Sequence, residues 1–356
     1  MKKVKADLHM HLEETSTIDD LKTLLTMCEA QKLKAASILS YNSIAIYQEG
    51  GAFDLLAKET NNDFSGYFSG KIIPSVEMVS TMDDMPSKSG KNYEGYRSDI
   101  VLYDFDIDKM SKYLNEEELK KAWVEDFEMF SKKCAEVGVE IPPIETFVND
   151  FHPLSFVTQW FEMCKTIPGY VEYLENIFNI KLNVASDLTR NHISNPNGKL
   201  FFKQKLFPDV STVLKIAKDV GAKVCIAHPA HMSKDFDTTD YIETLVDFSR
   251  SDPSFQPITH ACGDYMLNTQ QDSETIARVA EKKGLKLVCG SDLRLVDQMY
   301  YVGPLTNGEK VYYAPTPGFA VAKKVELGDG TISLEENNLK AFGDVKDSYG
   351  KYSEKE

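Results

Sequence analysis

The stretch Asp7-Leu8-His9-Met10-His11 sits at the end of the first apolar segment, and its reading decides how the rest of the chain is read. Alternate residues of a β-strand point to the same face. A strand over residues 3–8 that continues through Met10 therefore aims the imidazoles of His9 and His11 at one point. Imidazole nitrogens joined by carboxylates make a borderline-hard donor set suited to zinc, manganese or iron. An isolated HxH pair is a weak signal, and its weight comes from what closes the other strands.

Working outward, Thr17 followed by Asp20 reads as an N-cap with an acidic first turn, and Leu21, Leu24, Leu25 and Cys28 then repeat at helical spacing. Residues 35–39 read as a second strand and residues 44–58 as a helical stretch. Residues 71–79 and 99–105 read as two further strands. Residues 106–209 change character to amphipathic helices rich in Glu, Lys and aromatics, notably 116–137 and 170–178, and form the expected insertion. Alternation resumes with a helix at 213–220, strands at 223–227 and 258–261, a helix at 273–283 closed by Gly284, and a strand at 285–289. Helices between strands predict parallel βα units, in a barrel or an open sheet. His9, Glu77, His228 and Asp292 each fall at or just past the C-terminal end of a predicted strand, where a βα barrel builds its site, and this favours the barrel. The expected division is 1–105 with 210–300 as the barrel, 106–209 as the mainly helical insertion, and 301–356 as a C-terminal extension. That extension has a hairpin-like stretch at Tyr301, Tyr312 and Tyr313 and a charged, frayed tail from Lys346 to Glu356.

Composition restricts the function classes. The chain has 356 residues, 42% hydrophobic and 27% charged, within the globular range. The net charge of -15 argues against a sequence-independent grip on long nucleic acid, which depends on Lys and Arg displacing counterions from phosphates. A small phosphorylated molecule remains compatible, because bound divalent cations reverse the field inside a cleft. No apolar run reaches membrane-span length, and Met1-Lys2-Lys3-Val4-Lys5 leads into the first strand without the core of a secretory signal, so a cytoplasmic location is expected. The six cysteines are scattered without a CxxC pair and read as reduced, buried residues. Neither a GxGxxG nor a P-loop fingerprint is present.

Four further segments carry ligand-type residues at strand ends: Pro74-Ser75-Val76-Glu77, Asp99 opening Ile100-Val101-Leu102-Tyr103, Ala227-His228-Pro229-Ala230-His231, and Gly290-Ser291-Asp292. With Asp7 to His11, the Glu77 strand, the Ala227-His228-Pro229 turn and the Gly290-Ser291-Asp292 terminus, the chain resembles the PHP (polymerase and histidinol phosphatase) superfamily, in its branch of small-molecule phosphoesterases. The resemblance covers about residues 3–103 and 210–294. It implies a distorted seven-stranded (β/α) barrel that cleaves phosphate esters with a metal-activated water. By the same resemblance His9, His11, Glu77 and Asp292 hold one divalent ion, and Glu77 bridges to a second held by His228 and by Asp99, where many relatives have histidine.

Three departures bear on a third family metal. Ser40-Tyr41-Asn42 stands where relatives carry Thr-Asp-His, Asp292-Leu293-Arg294 where they end Asp-x-His, and Glu13, Glu14 and Thr15 follow the HxH pair. These ligands have gone as a set, so two divalent ions (Mn, Zn or Fe) and no third are expected. Arg294 then places a guanidinium where relatives have the third cation, able to hold a phosphate by its bidentate fork. The remaining substrate-positioning candidates are His231 and, in the insertion, Arg190, His192, Lys203 and Lys205. Arg190 stands out because Thr189-Arg190-Asn191-His192-Ile193 resembles an Arg-x-His-Ile turn of the small-molecule branch. His152 and His260 read as structural histidines. Phe201-Phe202 and the C-terminal tyrosines read as packing, and Tyr41 and Asn42 as filling volume that a metal has vacated.

The expected activity is hydrolysis of a small phosphorylated metabolite or short nucleotide, with no membrane partner. Two alternatives stay open: an amidohydrolase-like enzyme attacking a C–N bond, for which no lysine is well placed to be the carboxylated ligand, and a non-catalytic metal- or ligand-binding protein.

Overall fold

The structure is a computed structural model describing residues 6–12, 16–86, 93–148, 154–232, 237–264, 268–294, 300–302, 311–313, 324–327 and 330–333. The expectations placed on Glu13, Glu14, Thr15, His152 and the 346–356 tail lie outside the described residues.

The main sheet is built from β1 (Ala6–His11), β2 (Ala35–Leu39), β3 (Lys71–Thr81), β4 (Arg97–Tyr103), β5 (Lys223–Ile226), β6 (Ile258–Asp264), β7 (Lys286–Cys289) and the short β8 (Leu293–Arg294). Its order is β7-β6-β5-β4-β3-β2-β1-β8, a curled half-barrel in which seven strands run from β7 to β1 and β8 adds to the outside of β1. Only Gly290, Ser291 and Asp292 separate β7 from β8 along the chain.

The helices are α1 (Ile18–Ala30), α2 (Ala52–Thr60), α3 (Ile107–Met110), α4 (Glu116–Glu136), α5 (Ser155–Lys165), α6 (Tyr170–Phe178), α7 (Ala185–Leu188), α8 (Val210–Val220), α9 (Pro229–Met232), α10 (Thr238–Ser249) and α11 (Gln270–Lys283). The caps follow the sequence signals. Thr17 and Asp20 form a reciprocal capping box on α1, Thr269 and Asp272 do the same on α11, and Gly284 ends α11 at φ +68°.

Several boundaries depart from the sequence reading. The first strand, described from Ala6, runs on through His11, so the continuation that the HxH reading needed is present. The stretch 44–58 is divided into a 3-10 turn, Ala45–Tyr47, and α2, where the glycines at 50 and 51 interrupt the helix. The largest departure is in direction. β1–β2, β2–β3, β5–β6 and β6–β7 pair in parallel, but β4 runs antiparallel to β5. Uniform parallel βα units are therefore not what the chain forms.

Backbone contacts divide the chain into two compact units: residues 1–78, 99–113 and 213–356, and residues 79–98 with 114–212. The first holds the concave core, where Ala6, Leu8, Ala35, Leu39, Ile73, Val101, Tyr103, Cys225, Ala227, Cys262 and Val288 pack together. The second has an aromatic core, with Phe156 edge-on to Trp123 and Phe127, and Phe130 edge-on to Trp160. Its buried Asp126 accepts the Lys205 and Leu206 N–H groups, and burial pushes that carboxyl up to about 6.

The C-terminal pairs β9 (Tyr300–Val302) with β10 (Val311–Tyr313), and β11 (Lys324–Leu327) with β12 (Gly330–Ser333), are antiparallel ribbons, with Tyr312 opposite Tyr301. Cys28, Cys134, Cys164, Cys225 and Cys262 are buried, in line with the compositional reading, and the side chain of Cys289 lies outside the described residues. Among the described residues no helix is long and apolar enough to cross a membrane.

Candidate metal centre

A local irregularity in β1 explains how His9 and His11 reach the concave side. Ala6 and Leu8 belong to the concave core, so simple alternation would turn His9 and His11 away from it. The pairing with β2 resolves this. Asp7 lies opposite Ala36 and Met10 opposite Ile38, which is three steps on one strand against two on the other, a β-bulge. Beyond the bulge the faces are exchanged. Met10 now faces α1, with its Sδ 3.9 Å from Cys28 Sγ, and the two histidines point inward.

There His9 Nε2 and His11 Nε2 lie 3.1 Å apart. Glu77 Oε2 is 3.2 Å from the first and 3.3 Å from the second. Asp292 Oδ1 is 2.9 Å from His11 Nε2 and 3.6 Å from His9 Nε2. A tetrahedral ion with bonds of about 2.1 Å requires ligand–ligand edges of roughly 3.4 Å, so these four atoms have the spacing of one coordination shell.

A second cluster shares Glu77. Its other oxygen, Oε1, is 3.1 Å from His228 Nε2, which is 4.0 Å from Asp99 Oδ2. Each group, His9 with His11 and Glu77, and Glu77 with Asp99 and His228, brings its donor atoms within 4.8 Å of one another. The reversed direction of β4 puts Asp99 here. Because β4 is antiparallel to β5, Asp99 near the start of β4 meets the residues that follow the end of β5, and Ala227 N–H donates to Asp99 C=O.

The charges are mutually dependent. Burial alone would raise Glu77, but the surrounding His9, His11 and His228 hold it well below the usual carboxylate range. Asp292 behaves likewise: burial opposes ionisation, and His11, followed by His9 and His228, overcomes it. For His228 burial works against the charged form, yet the bond to Glu77 and the charges of Glu77, Asp99 and Asp292 raise it to about 9. Two buried carboxylates holding converging imidazole nitrogens are the electrostatics of a divalent-cation site, in which the cation replaces the protons. Glu77 is fully buried and Asp292 is 3% exposed, so water contributes little screening.

The remaining candidates are placed as follows. Arg294 has its main chain in β8 opposite His11, and its side chain lies outside the described residues. His231, on α9, is half-buried with its ring edge-on to His228 at 5.7 Å. In the second unit Arg190 is exposed and donates to Ser186 Oγ. His192 is buried, with Nε2 at 3.1 Å from Phe178 C=O and Nδ1 accepting from Lys199 N–H, so both ring nitrogens are taken within its own unit. Lys203 pairs with Asp83 at 3.0 Å beside a small cleft that Arg97, Ser194 and Gln204 also line. Lys205 is exposed. His260 is buried, with Nδ1 2.8 Å from the Thr259 hydroxyl, in keeping with a structural role.

Three neighbours of the donor atoms were not among the ligands expected from the sequence: Tyr41 and Asn42, read as filling a vacated metal volume, and Asp7, read only as part of the first-strand motif. Tyr41 stacks on His11, ring centroids 4.5 Å apart, and Asn42 beside it is buried at φ +47° with its N–H on Glu77 C=O. Asp7 is fully buried under the bulge.

Fold and site together define a class: an α/β half-barrel with a buried histidine–carboxylate cluster at one end of its strands. No family model and no curated protein matches the sequence. Solved structures do share the fold. An amidohydrolase from Chromobacterium violaceum, with bound sulfate and no metal, aligns with a TM-score of 0.53 and 13% identity, over 81% of this chain and 87% of its own. A protein from Bifidobacterium adolescentis, provisionally described as a metal-dependent phosphoesterase, aligns with a TM-score of 0.51 and 13% identity, over 95% of each chain.

Proposed function

We propose that the chain is a metal-dependent phosphoesterase of the PHP type, hydrolysing a small phosphorylated metabolite or short nucleotide. The observation that carries this reading is the split use of Glu77, one oxygen facing His9 and His11 and the other facing His228. His9, His11, Glu77 and Asp292 would hold one divalent ion, and Glu77, Asp99 and His228 a second. When bound, such a pair supplies Lewis-acid polarisation of a phosphoryl oxygen and lowers the pKa of water toward neutrality.

The protein's own groups then orient the ester. Arg294 and His231 are the groups proposed to orient the phosphate, and Arg190 and Lys205, both exposed, are further candidates to be tested by substitution. His192 and Lys203 are weaker choices, because each is already engaged within its unit. Tyr41 and Asn42, where the resemblance would place third-metal ligands, support a two-ion centre.

A second reading, hydrolysis of a C–N bond, draws support from the amidohydrolase neighbour, although the sequence places no lysine well for the carboxylated ligand of that class. Metal analysis together with manganese-supplemented assays on phosphomonoesters, short nucleotides and amides separates the two. About two metals per chain are expected, with phosphate-ester turnover lost at least roughly 100-fold in His9→Ala and Asp292→Ala. Turnover of amides alone would establish the second reading, and a chain that takes up no metal under any loading would overturn both.

A further inference from the structure

The bulge that turns His9 and His11 inward leaves main-chain groups outside the β1–β2 ladder, and buried unpaired main-chain groups are costly. Two side chains take them up. Asp7 Oδ1 accepts the His9 N–H at 3.3 Å, and the Tyr103 hydroxyl donates to Leu8 C=O at 2.8 Å. The same Asp7 oxygen accepts the Ser291 N–H at 2.9 Å, from the turn that presents Asp292. That turn is tied back to β1 by Asp292 N–H donating to His9 C=O at 2.7 Å, with Asp292 itself at φ +53°.

We infer that Asp7 is a positioning residue of the metal centre: its buried carboxylate locks the β1 bulge to the Gly290-Ser291-Asp292 turn and so sets His9, His11 and Asp292 around one ion. The inference rests on the metal-centre reading above. Asp7 does not converge on the donor atoms; it acts through the main chain of the residues that do. Without its acceptor oxygen the His9 and Ser291 N–H groups lose a shared partner, and the least strained alternative is a regular strand in which the histidines change face. Hydrogen-bond acceptance is the property required, so asparagine, which keeps a carbonyl at the same position, should serve in its place.

The test uses the full chain and cobalt(II) alone as probe, reading affinity by competition with a chelator and coordination by the visible absorption bands. Asp7→Asn should match the wild type within about threefold and keep its spectrum. Asp7→Ala, and Asp7→Leu, which fills the volume without an acceptor, should lose roughly 10- to 100-fold in affinity and show altered bands while retaining native far-UV circular dichroism. Tyr103→Phe, which removes only the other bond to the bulge, should change affinity and bands in the same direction and decides the matter if the apolar variants do not fold. Wild-type affinity and bands in the folded apolar variants, an Asp7→Asn as impaired as they are, or a Tyr103→Phe indistinguishable from wild type would each overturn the inference. Failure of the wild-type chain to bind cobalt would instead overturn the metal-centre reading beneath it.

Discussion

At the scale of single residues, the site is a set of groups that hold one another in unusual protonation states. His228 is raised to about 9 from an ordinary value of 6.5, so the folded chain binds that proton more tightly than the unfolded one. In the metal-free protein this stabilisation is complete below about pH 6.5 and is lost as pH rises through about 9. A cation needs the same imidazole lone pair, so metal affinity should rise across that window, by up to roughly tenfold per pH unit for one displaced proton. Titration calorimetry in buffers of different ionisation enthalpy checks the proton release, and His228→Gln should flatten both profiles. Glu77 and Asp292 behave oppositely: their lowered values favour the folded chain above the ordinary carboxylate range, and that contribution disappears on acidification. The identities of these donors were legible in the sequence because each is a ligand-type residue set in or beside an apolar strand-forming run. The partners of His192 and Lys203 were not, because Phe178, Lys199 and Asp83 are distant along the chain and met only through folding.

At the scale of elements, the strand ends matter more than the strands. Gly290 packs directly on His9, and a Cβ built there would lie 2.2 Å from His9 Cβ and 2.8 Å from its main-chain nitrogen. Both are parts of the backbone path that cannot swing aside. Gly290→Ala should therefore destabilise the chain by about 1–3 kcal/mol and reduce metal uptake more than thermal stability alone would explain. Paired denaturant melts and metal analysis measure this, and a variant with wild-type stability would show that the turn has room the structure does not give it. Helix starts were readable, since Thr17-Asp20 carries its own cap signal. The break between Tyr47 and Ala52 was not read, although Gly50 and Gly51 mark it. The bulge in β1 and the direction of β4 have no local signature. A run such as Asp99-Ile100-Val101-Leu102-Tyr103 is equally apolar whichever way its neighbour runs.

At the scale of the whole molecule, all six donor residues belong to the unit formed by residues 1–78, 99–113 and 213–356, although they come from segments nearly 300 positions apart. A ligand that binds only this assembled state stabilises it by mass action. A divalent ion at about 100 times its dissociation constant should add about 3 kcal/mol, a rise of roughly 3–6 °C in the midpoint of the far-UV melt. Chelator should reverse the rise, and His9→Ala should abolish it. An unchanged midpoint in wild type at saturating metal would show that the ion does not bind the folded cluster.

The sequence by itself determined the alternation of strands and helices, the helical character between β4 and β5, and the donor types at the strand ends, because periodicity and residue chemistry are local properties. Tertiary structure alone decided that β4 is reversed and that a bulge exchanges the faces of β1. Those outcomes depend on which backbone groups find partners across the sheet, and a main-chain hydrogen bond carries no side-chain signature by which the sequence could announce it.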